Sequence, residues 1–274
     1  MPRRPEVTVR RSRFWATNTT IVAASPGCLL VDPGVYPDEL RATARMLAGP
    51  VLAAVHTHAH WDHVLWAPEL GDAVPRFVTR GTRTGLDRDL PALRRHLDLV
   101  ATDAAAGRDA GVEADEPWDT DLVGLGRALP DGRSIPWPGP EAVLFETGGH
   151  LAGHGSLHLP ELGVLVGGDL LSDLDVPFPE EGPAAYLGAV DRLVALERVT
   201  MLVPGHGSPT DRAGLLGRAD ADRRYLARLE AALAASDGED EAVARTARID
   251  ARLADPAVRR GHEATVRALF RARR

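Results

Sequence analysis

His58, His60, Asp62 and His63 lie within six residues of one another, in the run Thr57-His58-Ala59-His60-Trp61-Asp62-His63. Imidazoles combined with a carboxylate form a ligand set for zinc, iron, manganese or cobalt rather than for magnesium or calcium, which take oxygen ligands. The spacing is not that of the helical HExxH pattern, in which two histidines stand four apart on one helix face. In extended backbone the alternate residues His58 and His60 point the same way, and a turn then brings Asp62 and His63 to a neighbouring position. Such an arrangement serves two adjacent metal ions better than one. The plain alternative is a histidine-rich surface loop that binds nothing, and three further motifs weigh against it. His150, Asp169 and His206 end the runs Glu146-Thr147-Gly148-Gly149-His150, Val166-Gly167-Gly168-Asp169 and Val203-Pro204-Gly205-His206. Each follows an apolar, strand-like stretch and a glycine, which allows close backbone approach and leaves the next side chain free to face a shared cleft.

The elements that must position these residues are legible as hydrophobic pattern. Val7 to Val9, Thr20 to Ala23 and Cys28 to Val31 are short β-rich runs separated by turn residues. Pro37 to Ala48 has helical spacing, with Leu40, Ala44 and Leu47 on one face and Gly49-Pro50 to stop it. Val51 to Val55 is a continuous apolar run, as expected of a strand buried on both faces, and it delivers the chain into the histidine cluster. Loops leaving the carboxyl ends of such strands are where α/β proteins place ligands. Strands are expected again at 142–146, 156–159, 164–167 and 200–203, with an amphipathic helix over 183–198 that aligns Tyr186, Val190, Leu193 and Leu196. Residues from about 81 to 140 differ in composition. They contain an arginine-rich helical stretch, the acidic run Glu113-Ala114-Asp115-Glu116 and a Pro-rich connection at 135–140, and they read as an insertion on the core. The expected organisation is a catalytic domain over 1–210 carrying that insertion, and a C-terminal helical extension over 211–274 packed on the same domain. The arginines of its last segment read as a solvated helix face.

Composition excludes several classes. With 44% hydrophobic and 26% charged residues over 274 positions, the chain has the balance of a globular protein with a sizeable core. The single cysteine, Cys28, rules out a disulfide framework and a multi-cysteine metal site. There is no lysine at all, so Schiff-base, pyridoxal-phosphate and P-loop lysine chemistry are excluded. The net charge of −7 argues against binding nucleic acid through bulk positive charge. No window approaches the apolar length of a membrane span and no leader-like segment opens the chain, so a soluble cytoplasmic protein, without a membrane or nucleic-acid partner, is expected. Oligomeric state is open.

Taken together, the HxHxDH run His58, His60, Asp62, His63 and the later Gly149-His150, Gly168-Asp169 and Gly205-His206 resemble the metallo-β-lactamase-fold hydrolase superfamily, motif by motif and in the same order, over roughly Asn18 to Gly207. The resemblance implies a four-layer αββα sandwich with a dinuclear site at one edge of two sheets. It implies that His58, His60 and His150 hold one divalent ion, that Asp62, His63 and His206 hold a second, and that Asp169 bridges them. Zinc is the first expectation for both ions, with iron or manganese as alternatives. A bridging aspartate together with His63 is similar to the glyoxalase II, lactonase and phosphodiesterase branches. Asp32 matches an aspartate that braces the metal loop, and His154 stands where a second, non-ligating histidine is common.

That resemblance implies a metal-bridged hydroxide attacking an ester, thioester or lactone carbonyl, with Asp62 as the catalytic residue that orients it. Three alternatives share the fold: a mononuclear iron dioxygenase acting on persulfides, a phosphodiesterase, and a noncatalytic metal-binding protein. Ser172 stands where homoserine-lactone lactonases carry tyrosine, and the tRNA-processing nucleases' extra motifs are missing. Trp66, Trp118, Trp137, Phe178 and Tyr186 are candidates to line an apolar substrate pocket, which the insertion would cap.

Overall fold

The computed structural model describes residues 4–104 and 126–273, with the backbone alone at 96–104. The acidic run at Glu113–Glu116 and Trp118 lie outside the described residues. Two six-stranded sheets organise the described residues. The first runs in the order β1 (Glu6–Arg11), β2 (Asn18–Ala24), β3 (Gly27–Val31), β4 (Val51–Val55), β5 (Arg76–Thr79) and β6 (Arg127–Leu129). The second contains β7 (Arg133–Ser134), β8 (Val143–Glu146), β9 (Gly155–Leu159), β10 (Val164–Gly168), β11 (Met201–Pro204) and β12 (Thr210–Asp211), again in sequence order. Helices α1 (Pro37–Met46) and α2 (Arg80–Ala104) accompany the first sheet, and α3 (Pro183–Val194), α4 (Arg212–Ala234), α5 (Glu239–Thr246) and α6 (Pro256–Ala272) the second.

Strand alternation builds the layers. On β3, Leu29 and Val31 turn toward the second sheet, where they meet Leu144, Leu157 and Val166 in the core between the sheets. The intervening Cys28 and Leu30 turn the other way and pack with Leu40 of α1 and Leu86 of α2. On β10, Val164 and Val166 face inward, while Leu165 joins Tyr186 and Leu193 of α3 and Leu226 and Leu229 of α4. Three apolar clusters between four layers give the αββα sandwich that the resemblance implies. The arginines of α6 behave as a solvated face: Arg267 pairs with Asp240 at 2.7 Å and Arg271 with Glu239 at 2.9 Å.

Some elements differ from the sequence expectation. Residues 127–129 and 133–134 fall inside the stretch read as an insertion, yet they are sheet strands, each at the edge of one sheet. Strand β5 has no counterpart in the sequence reading. Helix α1 ends two residues early because Leu47 is extended (φ −66°, ψ 131°). No described helix is long and apolar enough to cross a membrane.

Strand direction gathers the motif loops at one edge. β3 and β4 are parallel, as are β10 and β11, and β8 runs with β10 because β9 is antiparallel to both. The carboxyl ends of β3, β4, β8, β10 and β11 therefore deliver Asp32, His56–His63, His150, Asp169 and His206. The chain's one asparagine ties this edge together: Asn18 Nδ2 donates to the carbonyls of Pro204 and Gly207, both at 2.9 Å. The Gly155 amide donates to the Thr57 carbonyl at 2.7 Å, a second tie between the sheets.

Candidate metal centre

All seven sequence-predicted ligand residues converge. His58, His60, His150 and Asp169 form one group of potential ligands, and Asp62, His63 and His206 form another. In the first, His60 Nδ1 stands 3.0 Å from His58 Nε2 and 3.2 Å from His150 Nε2. Asp169 Oδ2 is 3.4 Å from His58 Nε2 and 3.5 Å from His150 Nε2. In the second, Asp62 Oδ2, His63 Nε2 and His206 Nε2 are 3.3–3.4 Å apart. The two groups meet at Asp169, whose Oδ2 lies 3.3 Å from His206 Nε2 and whose Oδ1 lies 3.2 Å from His63 Nε2.

These spacings fit metal ions. Donors about 2.0–2.2 Å from one tetrahedral ion stand about 3.3–3.5 Å from each other, the edge lengths found here to within a few tenths of an ångström. Asp169 Oδ1 is buried and has no hydrogen-bond partner among the described residues. Hydrogen bonds on the far ring atoms aim the donor atoms inward. His150 Nδ1 donates to the Phe178 carbonyl at 3.1 Å and His206 Nδ1 to the Trp15 carbonyl at 3.1 Å. Carbonyls only accept, so each Nδ1 carries a proton and Nε2 is the atom turned to the site, the one that would bind a metal. His63 Nδ1 donates likewise to Asp32 Oδ2 at 2.9 Å.

Asp32 also takes the Thr57 amide at 2.9 Å and the Thr57 hydroxyl at 2.7 Å, so one buried carboxylate holds both ends of the histidine loop. It does so from the left-handed region (φ +48°), which aspartate tolerates better than most residues. His154 belongs to neither group of candidate ligands, although its ring packs beside those of His58 and His150. Its Nε2 accepts the Asp169 amide at 3.0 Å and its Nδ1 meets the Thr147 hydroxyl at 2.8 Å, which fixes the backbone of Asp169. Gly168, before Asp169, has φ +57°, and a side chain there would run into the His154 ring.

Electrostatics divide the histidines. Burial holds His58 and His150 well below the usual imidazole range, so both are neutral, the form that binds a metal. Burial acts the same way on His63 and His206, but Asp169 and Asp62 outweigh it, with Asp32 adding to the effect on His63. His63 is held well above its ordinary value and His206 is raised to about 9. Burial also opposes ionisation of Asp62, but His63 and His206 prevail and hold it at about 2. Cations therefore balance these buried carboxylates, and a bound metal would displace the protons in that role.

The site opens into a cavity of about 840 Å³. The candidate aromatics divide. Phe178 and Tyr186 line the cavity, whereas Trp66 is buried with its indole N–H on the Gly71 carbonyl, and Trp137 folds back onto the Pro140 carbonyl in the β7–β8 connection. Sequence reasoning missed Phe14, Trp15 and Trp61, which form another wall. Trp61 carried a usable signal, since it lies inside the histidine motif. The β1–β2 connection brings back Phe14 and Trp15 from far along the chain. α2 contributes Thr84 and Ala92, and α6 contributes Ala264 and Thr265. Asp175, also unforeseen, lines the cavity and is pushed up to about 6 by burial.

The metallo-β-lactamase superfamily model matches residues 12–75, the segment from the β1–β2 connection through the histidine loop to just before β5. Among solved structures, a metallo-β-lactamase family protein from Thermus thermophilus superposes with a TM-score of 0.66 at 21% identity, covering 97% of this chain and 93% of that one. A stereoselective inverting sec-alkylsulfatase from Pseudomonas sp. superposes with a TM-score of 0.70 at 18% identity, but this chain spans only 48% of it. A protein solved in a di-iron-bound form gives a TM-score of 0.51 at 26% identity, covering 77% of this chain and 98% of that one. No curated protein matches the chain in sequence.

Proposed function

The chain is a metallo-β-lactamase-fold protein, and from that premise we propose that it is a dinuclear metallohydrolase cleaving an ester, thioester or lactone carbonyl of a small, largely apolar molecule. The observation that carries this reading is the sharing of Asp169 between two ligand groups at the base of an apolar cavity. His58, His60 and His150 would hold one ion, Asp62, His63 and His206 the other, and Asp169 both. When bound, such a pair supplies an acidified water and a Lewis acid for the carbonyl oxygen. Zinc suits these ligands, and the di-iron form of one structural relative makes iron the first alternative.

The chain's own residues contribute orientation and exclusion of water. Asp62 Oδ2 sits between His63 and His206, where a carboxylate would orient a nucleophilic water. Asp32 keeps His63 in the tautomer that leaves Nε2 free. Phe14, Trp15, Trp61 and Phe178 supply the walls that desolvate an acyl group.

The cavity favours carbonyl substrates over phosphodiesters or glutathione thioesters. Its one described arginine is Arg88, on the exposed side of α2, so among the described residues no buried arginine lines the cavity to meet an anionic group. A mononuclear iron dioxygenase would need only the first ligand group, yet the second is complete. The expected partner is a small molecule, with no nucleic acid or membrane involved, and the expected location is the cytoplasm.

The experiment is a panel of p-nitrophenyl octanoate, an octanoyl thioester, a medium-chain lactone and bis-p-nitrophenyl phosphate, assayed with metal-loaded and chelated protein. Turnover of one or more carbonyl substrates, abolished by chelation and restored by zinc, manganese or iron, is expected. Metal-loaded protein that turns over none of them overturns the reading.

A further inference from the structure

Asp175 lies on the cavity wall, in the loop that follows β10 beyond Asp169. It is 8% exposed, and its Oδ1 is buried with no hydrogen-bond partner. Among the described residues its carboxyl forms no hydrogen bond or ion pair. Burying a carboxyl unpaired is costly, so a fold normally turns such a side chain to a partner or to water.

Here the backbone prevents that. The Asp175 amide donates to Ser172 Oγ at 3.1 Å, and Ser172 Oγ in turn donates to the His206 carbonyl at 3.1 Å. From the other side, Arg252 Nη1 donates to the Asp175 carbonyl at 2.6 Å. Arg252 is itself clamped by Asp250 at 3.0 Å and Asp222 at 3.1 Å, so the C-terminal helices and the metal-site loop together fix where Asp175 stands. Its neighbours on the wall, Val176 and Phe178, are apolar. The titratable groups that act on it are His206, Asp169 and Asp62 of the metal centre and Arg252, whose hydrogen bonds go to other atoms.

We propose that Asp175 is the specificity-determining residue of the cavity, where its carboxyl accepts a hydrogen bond from a neutral N–H or O–H group carried close to the carbonyl of an otherwise apolar substrate. The proposal rests on the hydrolase reading for the identity of the occupant as a substrate. The residue disfavours anionic molecules, which its charge repels, and it disfavours purely hydrocarbon acyl groups, which would leave it unpaired. A site with a buried polar group rejects ligands that lack the matching partner far more strongly than it rejects a change of one methylene.

The test compares two ligands that are not esters, N-methyloctanamide, which has one N–H, and N,N-dimethyloctanamide, which has none. Their binding to the zinc-loaded full chain is followed by fluorescence of the wall tryptophans Trp15 and Trp61. We expect the N–H ligand to bind about tenfold more tightly, the usual weight of a hydrogen bond to a charged group. Asp175→Leu should erase the preference, and Asp175→Asn, which keeps an acceptor oxygen, should retain part of it. Equal binding by the wild type, a preference that survives Asp175→Leu, or binding of neither amide would overturn the proposal. Ester turnover by the same zinc-loaded protein is read separately, so failure of the hydrolase reading and failure of the Asp175 proposal give different results.

Discussion

Asp32 contacts the candidate metal centre only through others, yet it fixes His63, Thr57 and the loop between them. Asp32→Asn keeps the size and the tolerance of a left-handed backbone but loses the charge that orients His63. We expect it to weaken metal binding by about 10–100-fold, measured by competition with a chromogenic chelator. A pH dependence follows from His63 and His206, both of which hold protons above the ordinary imidazole range in the metal-free chain. A group whose pKa is raised on folding stabilises the fold fully below its unfolded value and loses that contribution as pH rises through its folded value. The metal-free protein should therefore lose stability between about pH 6.5 and about pH 9, and the zinc-loaded protein, in which the ion takes the place of the second proton on His206, should not. Denaturant midpoints across that range, with and without chelator, check the difference. At this scale the sequence was most informative. The seven candidate ligands announced themselves by residue type, by the close spacing of His58, His60, Asp62 and His63, and by the glycines before His150, Asp169 and His206, and the geometry brings all seven together. Asp175 gave no such signal, because a lone aspartate in Leu174-Asp175-Val176 is indistinguishable from a turn residue until its burial is known.

At the scale of elements, the site depends on two sheets whose strand ends must stay in register. Asn18 spans the gap with two side-chain bonds, and its backbone amide donates to the Gly205 carbonyl at 2.7 Å. Replacing it by leucine removes the side-chain donor to the Pro204 carbonyl and leaves the Gly207 carbonyl to Arg11 alone, a loss of about 1–3 kcal/mol in denaturant unfolding. At Gly205 a methyl group would press on Asp169 Oδ1. Gly205→Ala should keep its circular dichroism while binding metal at least about tenfold more weakly. The five-residue, strongly apolar strands β3, β4 and β10 were readable because their apolar runs are continuous and bounded by turn residues. β5, β6 and β7 were not. They are four, three and two residues long, and their strand character comes from the neighbours they pair with rather than from their own composition.

The whole molecule encloses the cavity with pieces from both ends of the chain: the β1–β2 connection, the start of α2, the loop after β10 and the last helix. The C-terminal helices share one apolar cluster with α3 and the outer face of the second sheet, so their packing and the cavity wall are built together. Their helical character was plain in the sequence, but their part in the wall was not, because it depends on where α6 lands rather than on its pattern. Metal binding should be felt across this unit. A ligand present at about a thousand times its dissociation constant stabilises the folded state by about 4 kcal/mol. In a domain of this size that should raise the melting temperature by about ten degrees, reversibly with chelator, by scanning fluorimetry.

The central claim is that two ligand groups joined by Asp169 hold two ions in one chain. The measurement that tests it most directly is the metal content per chain by elemental analysis, on protein purified without added metal and again after loading with excess zinc, manganese or iron. The account predicts two ions per chain in the loaded protein, with His206→Ala reducing the count to one. At most one ion per loaded wild-type chain would contradict it. One iron without a second site would turn attention to oxygen consumption in place of hydrolysis.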